Sequence, residues 1–289
     1  MSLNALVTGA TSGIGRAIAT QAIEQGYTAI GVGRDFSKND LNFAQAITLD
    51  QSDLGAVDAF CKEHRSLLSG LDLLVLNAGY GQFGAIEQFS TAQIEKLITT
   101  NLTSNIVLLS KIVPLMKAKG GGDIVLIGSE AALQGAKQGS VYCASKFGLR
   151  GLAQSLRAEC ANSDIRVILI NPGAVRSDFF DELAFEPAQG QEFALSPQDI
   201  ASSVFSALKL PATSVVDELN LLVESKICRT IGVNFMSTKH LFNFRDGKRI
   251  NSYFEPPTGR IIDNCHMNKD GITRFGKYMK YWTYRLLSN

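Results

Sequence analysis

Tyr142, Cys143, Ala144, Ser145 and Lys146 open a run with the pattern of a long helix. Four-residue spacing puts Tyr142 and Lys146 on one helix face, one turn apart. A phenol with a reference pKa of about 10 exchanges protons poorly at neutral pH. A nearby ammonium favours the phenolate and lowers that value. Lys146 has this role available and can also bond the ribose hydroxyls of a nucleotide. Alone, a Tyr-x-x-x-Lys pair is common on exposed helices, so its weight depends on its neighbours. Ser129 ends the fifth strand-like run, thirteen residues before Tyr142. Its hydroxyl can donate to a carbonyl and accept from an alcohol. Asn101 lies in a long helical stretch among Leu97, Ile98, Leu102 and Val107, where a buried amide needs partners. Bonding within the helix or exposure to solvent is the plainer reading of that residue.

These residues need a scaffold, and the apolar pattern describes one. Strand-like runs lie at Leu3 to Thr8, Tyr27 to Gly33, Ala46 to Leu49, Leu71 to Leu76, Asp123 to Gly128, Ile165 to Ile170 and Leu219 to Val223. Helical patterns at Gly13 to Gln25, Asp53 to Ser66, Thr91 to Lys117, Val141 to Ala161 and Pro197 to Leu208 separate them. Apolar strands alternating with helices imply a parallel sheet covered on both faces. The right-handed crossover rule then predicts an α/β, doubly wound, seven-stranded Rossmann arrangement, with ligands at the strand C-termini. Ser129 stands at such an end, where it can meet Tyr142.

The first strand runs straight into Thr8-Gly9-Ala10-Thr11-Ser12-Gly13-Ile14-Gly15 and then a helix. Glycines there allow a tight turn and close approach to a phosphate, and the helix N-terminus offers N–H groups and a positive dipole end. The spacing is G-x-x-x-G-x-G rather than G-x-G-x-x-G. Its strand-to-helix placement makes it a nucleotide site. At the end of the second strand an acid commonly holds the ribose 2′-hydroxyl of NAD, whereas arginine accommodates a 2′-phosphate. Here Gly33 fills the acid's place and Arg34 follows, which predicts NADP(H). Asp35 complicates this reading, because its carboxylate can reach a ribose. A solvated loop role is the alternative for Arg34.

Taken together, these pieces resemble the short-chain dehydrogenase/reductase family. The matching parts are the Thr8 to Gly15 loop, Asp50, Asn77-Ala78-Gly79, Asn101, Ser129, Tyr142-x-x-x-Lys146, and Asn171 through Pro172, Gly173, Ala174, Val175 and Arg176 to Ser177. They stand in the family's order over roughly residues 3 to 225. The resemblance implies that Tyr142 is the general acid/base and that Ser129 orients the substrate oxygen. It implies that Lys146 binds the nicotinamide ribose while lowering the tyrosine pKa, and that Asn101 holds a water in a proton relay. Asp50 would contact the adenine, Asn77 to Gly79 would flank the adenosine, and Pro172, Gly173, Val175 and Ser177 would hold the nicotinamide end. Two positions depart from the family: Leu76 replaces an asparagine that helps hold neighbouring strands, and Ser177 replaces a threonine. The implied activity is hydride transfer between NADP(H) and a small-molecule carbonyl or alcohol. The resemblance also implies a homodimer or homotetramer.

Composition bounds the rest. The chain has 289 residues, 45% hydrophobic and 19% charged, with a net charge of +1, which gives no reason to expect nucleic acid. Cys61, Cys143, Cys160, Cys228 and Cys265 show no C-x-x-C pair and no metal-like spacing with the histidines, so no metal is expected. No apolar run is long enough for a spanning helix, and a cytoplasmic protein is the default expectation. Residues 1–231 are read as the dehydrogenase/reductase domain and 232–289 as a basic, aromatic-rich extension. The extension holds ten Lys or Arg against four Asp or Glu. Its Ile272, Phe275, Met279, Trp282 and Leu286 recur at helical spacing, which predicts a docked terminal helix. Contact with a membrane surface is the less favoured use of that helix. Between Asp178 and Ser196, Phe179, Phe180, Leu183, Phe185, Phe193 and Leu195 read as an apolar lid over the substrate, or equally as core residues, the commoner fate of such side chains. Two other classes compete. A catalytically idle NADP(H)-binding sensor does not require Ser129, Tyr142 and Lys146 together. A sugar-nucleotide epimerase or dehydratase needs a larger substrate domain than residues 178–231 provide.

Overall fold

Strict alternation along each central strand builds two separate cores. Leu6, Leu74, Leu76, Ile124, Leu126, Val167 and Leu169 face one layer of helices. Ala5, Val7, Leu73, Val75, Val125, Ile127, Ile168 and Ile170 face the other. Successive strand side chains point to opposite faces, so a strand buried on both sides must be apolar throughout. The computed structural model describes residues 3–37, 40–211 and 213–223, and the backbone of 228–230, 253–254 and 261–262.

The strands are β1 (Asn4–Thr8), β2 (Thr28–Gly33), β3 (Gln45–Thr48), β4 (Leu73–Leu76), β5 (Gly122–Ile127), β6 (Ile165–Pro172) and β8 (Glu218–Leu221). They form one seven-stranded parallel sheet in the order β3-β2-β1-β4-β5-β6-β8. Helix α1 (Gly13–Glu24) and α7 (Pro197–Leu208) cover one face, through Ile18, Ile200, Val204 and Phe205. Helices α2 (Leu54–Glu63), α5 (Ser104–Lys119) and α6 (Ser140–Cys160) cover the other, through Phe60, Leu108, Ile112, Leu149 and Leu156. Strand order reverses between β1 and β4. A crevice opens there at the strand C-termini, where this fold binds ligands. The expected doubly wound, Rossmann-type fold is present.

The helix expected over Thr91 to Lys117 is divided. Helix α4 (Thr91–Ile98) passes through a five-residue π-helical turn, Thr99–Thr103, into α5. Three polar side chains in this stretch bond backward to carbonyls four residues earlier: Thr100 to Lys96 at 2.8 Å, Ser104 to Thr100 at 2.9 Å and Asn105 to Asn101 at 2.9 Å. Such bonds compete with the helix's own N–H groups. The apolar pattern carried no sign of that competition. Pro114 lies inside α5 without dividing it. The helix expected over Asp53 to Ser66 is α2, capped by the Asp53 carboxylate on the Ala56 N–H, followed by the short α3 (Arg65–Leu68).

Part of the segment read as a lid forms β7 (Phe185–Pro187), antiparallel to β9 (Cys228–Thr230) and outside the main sheet. The chain separates into two compact units, Met1–Phe242 and Asn243–Asn289. In the second unit, β10 (Tyr253–Phe254) pairs antiparallel with β11 (Ile261–Ile262). The boundary near Gly232 and the terminal helix expected over Ile272 to Leu286 lie outside the described residues. Among the described residues, no helix is long and apolar enough to cross a membrane.

Candidate active site

The phosphate loop is shaped by contacts that leave no room for side chains. Gly9 has a φ of +63°, in the left-handed region that favours glycine. A Cβ at Gly15 would lie 2.1 Å from the Gly9 carbonyl oxygen. Asn77 Nδ2 donates to the carbonyls of Thr8 at 3.0 Å and Gly9 at 3.2 Å, and the Thr8 hydroxyl accepts the N–H groups of Asn77 and Ala78, both at 3.0 Å. These bonds tie the end of β1 to the end of β4. Leu76 packs in the core and pairs with Leu126, so this lashing, one residue later, holds the strands together. Helix α1 begins at Ser12 with no side-chain cap and no acidic residue in its first turn. Its first N–H groups and positive dipole end therefore face the loop, which suits a pyrophosphate.

Gly33 and Arg34 stand at the end of β2. A Cβ at Gly33 would lie 2.7 Å from Thr11 Cγ2, so a side chain there would require Thr11 to turn aside. The Asp35 carboxylate accepts the Ser37 N–H at 2.8 Å and serves the local turn. The Asp50 carboxyl is held below the usual range, chiefly by the Ser52 N–H at 2.8 Å, with help from the Lys96 and Arg34 charges. Arg34 and Asp50 thus border the same end of the crevice.

Ser129 follows Gly128, just beyond the end of β5, and its hydroxyl accepts the Ala131 N–H at 3.1 Å. The hydroxyl proton remains for Tyr142, to which Ser129 is hydrogen-bonded. Tyr142 lies in the first turn of α6, which Gly139 opens. Burial pushes its phenol up to about 12, outweighing the Ser129 hydrogen bond that lowers it; Cys143 and Glu130 raise it further. The protein's own groups therefore do not give the lowered phenol that Lys146 was expected to produce. Lys146 Nζ lies over the Tyr142 ring, 5.8 Å from its centre, and donates to the Ile127 carbonyl at 3.2 Å. Lys146 is only 5% exposed, and burial brings its own pKa down to about 8.

Asn101, fully buried in the π-helical turn, meets three partners. Its Oδ1 accepts the Tyr80 N–H at 3.0 Å, and its Nδ2 donates to the Tyr80 carbonyl at 2.9 Å and to Ser145 Oγ at 3.2 Å. The side chain expected to hold a relay water thus clamps the loop after β4 onto α6. Gly79 fits against it, since a Cβ there would stand 3.1 Å from Asn101 Oδ1 and 3.7 Å from Lys146 Nζ.

Sequence reasoning assigned no role to four polar residues, Asn171, Glu218, Asn220 and Arg150, that position the site. Asn171 Oδ1 accepts the Ser129 N–H at 3.3 Å, while its Nδ2 donates to Glu218 Oε1 and Asn220 Oδ1, both at 2.9 Å. Glu218 Oε2 accepts from Arg150 Nε at 2.9 Å, two turns along α6 from Tyr142. This chain of bonds links Ser129 to the helix that bears Tyr142. Its only legible sign in the sequence was a polar residue inside an apolar strand. Pro172 ends β6, Gly173 follows it, and Ser177 lies against the phosphate loop: a Cβ on Gly13 would meet Ser177 Cβ at 3.3 Å. Val175 is bridged to Leu195. Phe83 and Phe179 both lie against Tyr142, and Phe185 packs on Phe83.

A doubly wound sheet with a glycine-shaped phosphate loop and a Ser-Tyr-Lys cluster at its crevice defines a nucleotide-binding oxidoreductase scaffold. The family model described as short chain dehydrogenase matches residues 3–187, and the chain belongs to that family. Sepiapterin reductase of Chlorobaculum tepidum is 31% identical over 232 residues, covering 75% of this chain and 94% of that protein. The alcohol dehydrogenase of the archaeon Thermococcus sibiricus, solved with 5-hydroxy-NADP, superposes with a TM-score of 0.67 at 28% identity, over 76% of this chain and 96% of that one. A metagenomic short-chain oxidoreductase solved with NADP gives 0.64 at 30% identity, over 76% and 96%. The protein is an oxidoreductase of a family that uses nicotinamide cofactors.

Proposed function

We propose that this protein transfers hydride between NADP(H) and a carbonyl or alcohol substrate, with Tyr142 as general acid/base. The observation that carries the reading is the convergence of Ser129, Tyr142 and Lys146 where β5 ends and α6 begins, beside a phosphate-loop cradle.

The cradle fits the cofactor by the closed spaces at Gly9 and Gly15 and by the uncapped start of α1. Gly9, Thr11, Ser12, Gly13, Ile14 and Gly15 hold the pyrophosphate, and Arg34 takes the 2′-phosphate. Thr11 occupying the space at Gly33, and the Ser37 N–H engaging Asp35, both favour NADP(H) over NAD(H). Asp50 and Asn77 to Gly79 border the adenosine. Tyr142 and Lys146 meet the nicotinamide ribose, and Pro172, Gly173, Val175 and Ser177 the nicotinamide end. Bound NADPH supplies a hydride to the carbonyl carbon. Ser129 donates to the substrate oxygen and holds it beside Tyr142. A phenol that keeps its proton at neutral pH is suited to give it to the forming alkoxide. Lys146 supplies positive charge near the ring and a route to restore that proton. Asn101 acts through position: it fixes Tyr80 and Ser145, and through them the spacing of the loop and α6. Residues 1–231 carry this activity. Ile106 of α5 and Phe147 of α6, each 43% exposed, offer apolar surface for the expected homodimer or homotetramer.

The reading is tested by following nicotinamide absorbance with a panel of aldehydes, ketones and alcohols. The expected result is turnover with NADPH and its loss in Tyr142→Phe, while NADPH still binds by fluorescence. Near-normal turnover in Tyr142→Phe rejects the assignment.

A further inference from the structure

The outer wall of the cleft is a closed circuit of five aromatic rings. Tyr142 meets Phe83 at 5.2 Å between ring centres, Phe83 meets Phe185 at 5.2 Å, Phe185 meets Phe180 at 5.9 Å, Phe180 meets Phe179 at 5.2 Å, and Phe179 returns to Tyr142 at 6.0 Å. The ring planes are inclined by 49° to 79°, within the tilted and edge-to-face range that aromatic pairs prefer. One member sits in a place shaped for a ring. A Cβ on Gly81 would lie 2.4 Å from Phe179 Cζ and 2.9 Å from Phe83 Cε2. Only the bare α-carbon of Gly81 lets the Phe179 ring settle against the backbone, with Phe83 and Tyr142 as the other walls. Leu97 and Val141 continue this apolar surface behind Tyr142.

The chain around Phe179 is held by local bonds, among them the Leu183 N–H on the Phe180 carbonyl at 2.9 Å and the Asp181 N–H on the Asp178 carbonyl at 3.2 Å. It belongs to a single 3-10 turn, Asp178–Phe180. Its start is tied by the Ser177 hydroxyl, which accepts the Phe179 N–H at 3.5 Å and donates to the Val175 carbonyl at 3.4 Å. These are long bonds of little strength. A ring taking the place of Phe179 would restore the contacts that it makes with Tyr142 and Phe83.

We propose, resting on the carbonyl reductase reading above, that the substrate carries an aryl or flat conjugated group beside its reacting carbonyl, and that this group displaces Phe179 from the seat made by Gly81, Phe83 and Tyr142. Phe179 stands in for the substrate's ring. The seat adjoins the phenol, so a carbonyl held by Ser129 and Tyr142 carries its ring toward Phe83. A flat ring regains the inclined contacts that Phe179 gives up, whereas a puckered saturated ring does not. Glycine at position 81 and phenylalanine at position 83 are thus specificity-determining residues.

The test compares NADPH-dependent reduction of benzaldehyde, cyclohexanecarbaldehyde and hexanal by the full chain, alongside acetophenone binding read by saturation-transfer NMR. The expected kcat/KM for benzaldehyde exceeds that for the saturated ring by about 3- to 10-fold, the value of one or two aromatic contacts. Phe179→Ala vacates the seat and is expected to lower KM for benzaldehyde by about threefold, with less effect on hexanal. Gly81→Ala fills the seat with a methyl and is expected to raise it roughly tenfold, again with a smaller change for hexanal. Equal handling of the flat and saturated rings, or indifference of benzaldehyde KM to Phe179→Ala, overturns the proposal. Phe179→Ala decides the matter if Gly81→Ala does not fold. Acetophenone that binds the wild type, and more weakly Gly81→Ala, without any carbonyl turnover, keeps the seat and rejects the reductase reading. Turnover of aldehydes with no preference for the ring rejects the seat and keeps the reductase. Absence of both turnover and ring binding rejects both.

Discussion

Asn101 grips the backbone of Tyr80 at two points, accepting its N–H at 3.0 Å and donating to its carbonyl at 2.9 Å. The amide leaves the helix ladder and spends its capacity on another segment. Asn101→Ala removes these bonds and the one to Ser145, leaving buried backbone groups unpaired. The expected loss is about 2–4 kcal/mol of stability, measured by urea denaturation. The turnover number should fall while NADPH affinity changes little, because the phosphate loop is not touched.

Arg150 and Ser129 are linked through Glu218 and Asn171. Glu218→Gln keeps the shape but removes the charge facing Arg150. That pair is partly exposed, so a loss of about 1 kcal/mol is expected. Asn171→Leu leaves the Ser129 N–H without this partner and should cost about 2–3 kcal/mol, with a larger fall in kcat than in Glu218→Gln. Chemical denaturation and initial rates on both variants check the order.

Burial of Lys146 opposes folding. The unfolded chain titrates this lysine near its ordinary 10.5, the folded chain at about 8. Below pH 8 both states hold the proton and the penalty is fully present; between about 8 and 10.5 only the unfolded chain holds it, so stability rises with pH. Lys146→Met should therefore be more stable than wild type at pH 7, by up to roughly 3 kcal/mol, and the gain should shrink by pH 10. Urea midpoints at the two pH values measure this. A constant difference would contradict it.

The high phenol pKa, about 12, gives the two reaction directions opposite pH behaviour. Carbonyl reduction needs the phenol protonated, which it is throughout the neutral range. Alcohol oxidation needs the phenolate, whose share grows with pH. We expect kcat/KM for oxidation to climb steadily from about pH 7 to 10, while that for reduction stays level or declines. Initial rates in both directions across this range are the measurement. An oxidation profile that is flat below pH 8 would contradict a phenol raised by burial.

Arg34→Asp places a carboxylate where a 2′-phosphate is expected. The KM for NADPH should rise at least about tenfold, the worth of a charge-assisted contact. The KM for NADH should fall or stay unchanged. Unaltered preference would assign Arg34 to solvent.

The sheet and both helix layers were legible because burial on two faces forces continuous apolar runs, as at Leu73 to Leu76 and Ile124 to Ile127. The glycine loop and the Ser129, Tyr142 and Lys146 set could be picked out in the sequence because the proposed chemistry calls for particular residue types at fixed places along the fold. The π-helical turn was not. It depends on Thr100, Ser104 and Asn105 choosing carbonyls over solvent, a choice that apolar periodicity does not record. The raised phenol was equally hidden. Residue spacing brings Lys146 near Tyr142, but only coordinates show how far burial removes both from water.

The π-helical turn at Thr99–Thr103 also fixes rotational phase. An α-helix advances about 100° per residue, whereas the π turn takes in one residue more than an α turn, so removing one residue from α5 at positions 104–107, rather than from the turn, would rotate the rest of α5 relative to α4. Leu108, Ile112 and Met116, now against the sheet, would swing toward its rim, and polar Ser110 and Lys117 would approach the core. A single-residue deletion at positions 99–103 should thus disturb the packing of α5 less than one at positions 104–107, because it lets the turn close as α-helix and leaves Leu108, Ile112 and Met116 against the sheet.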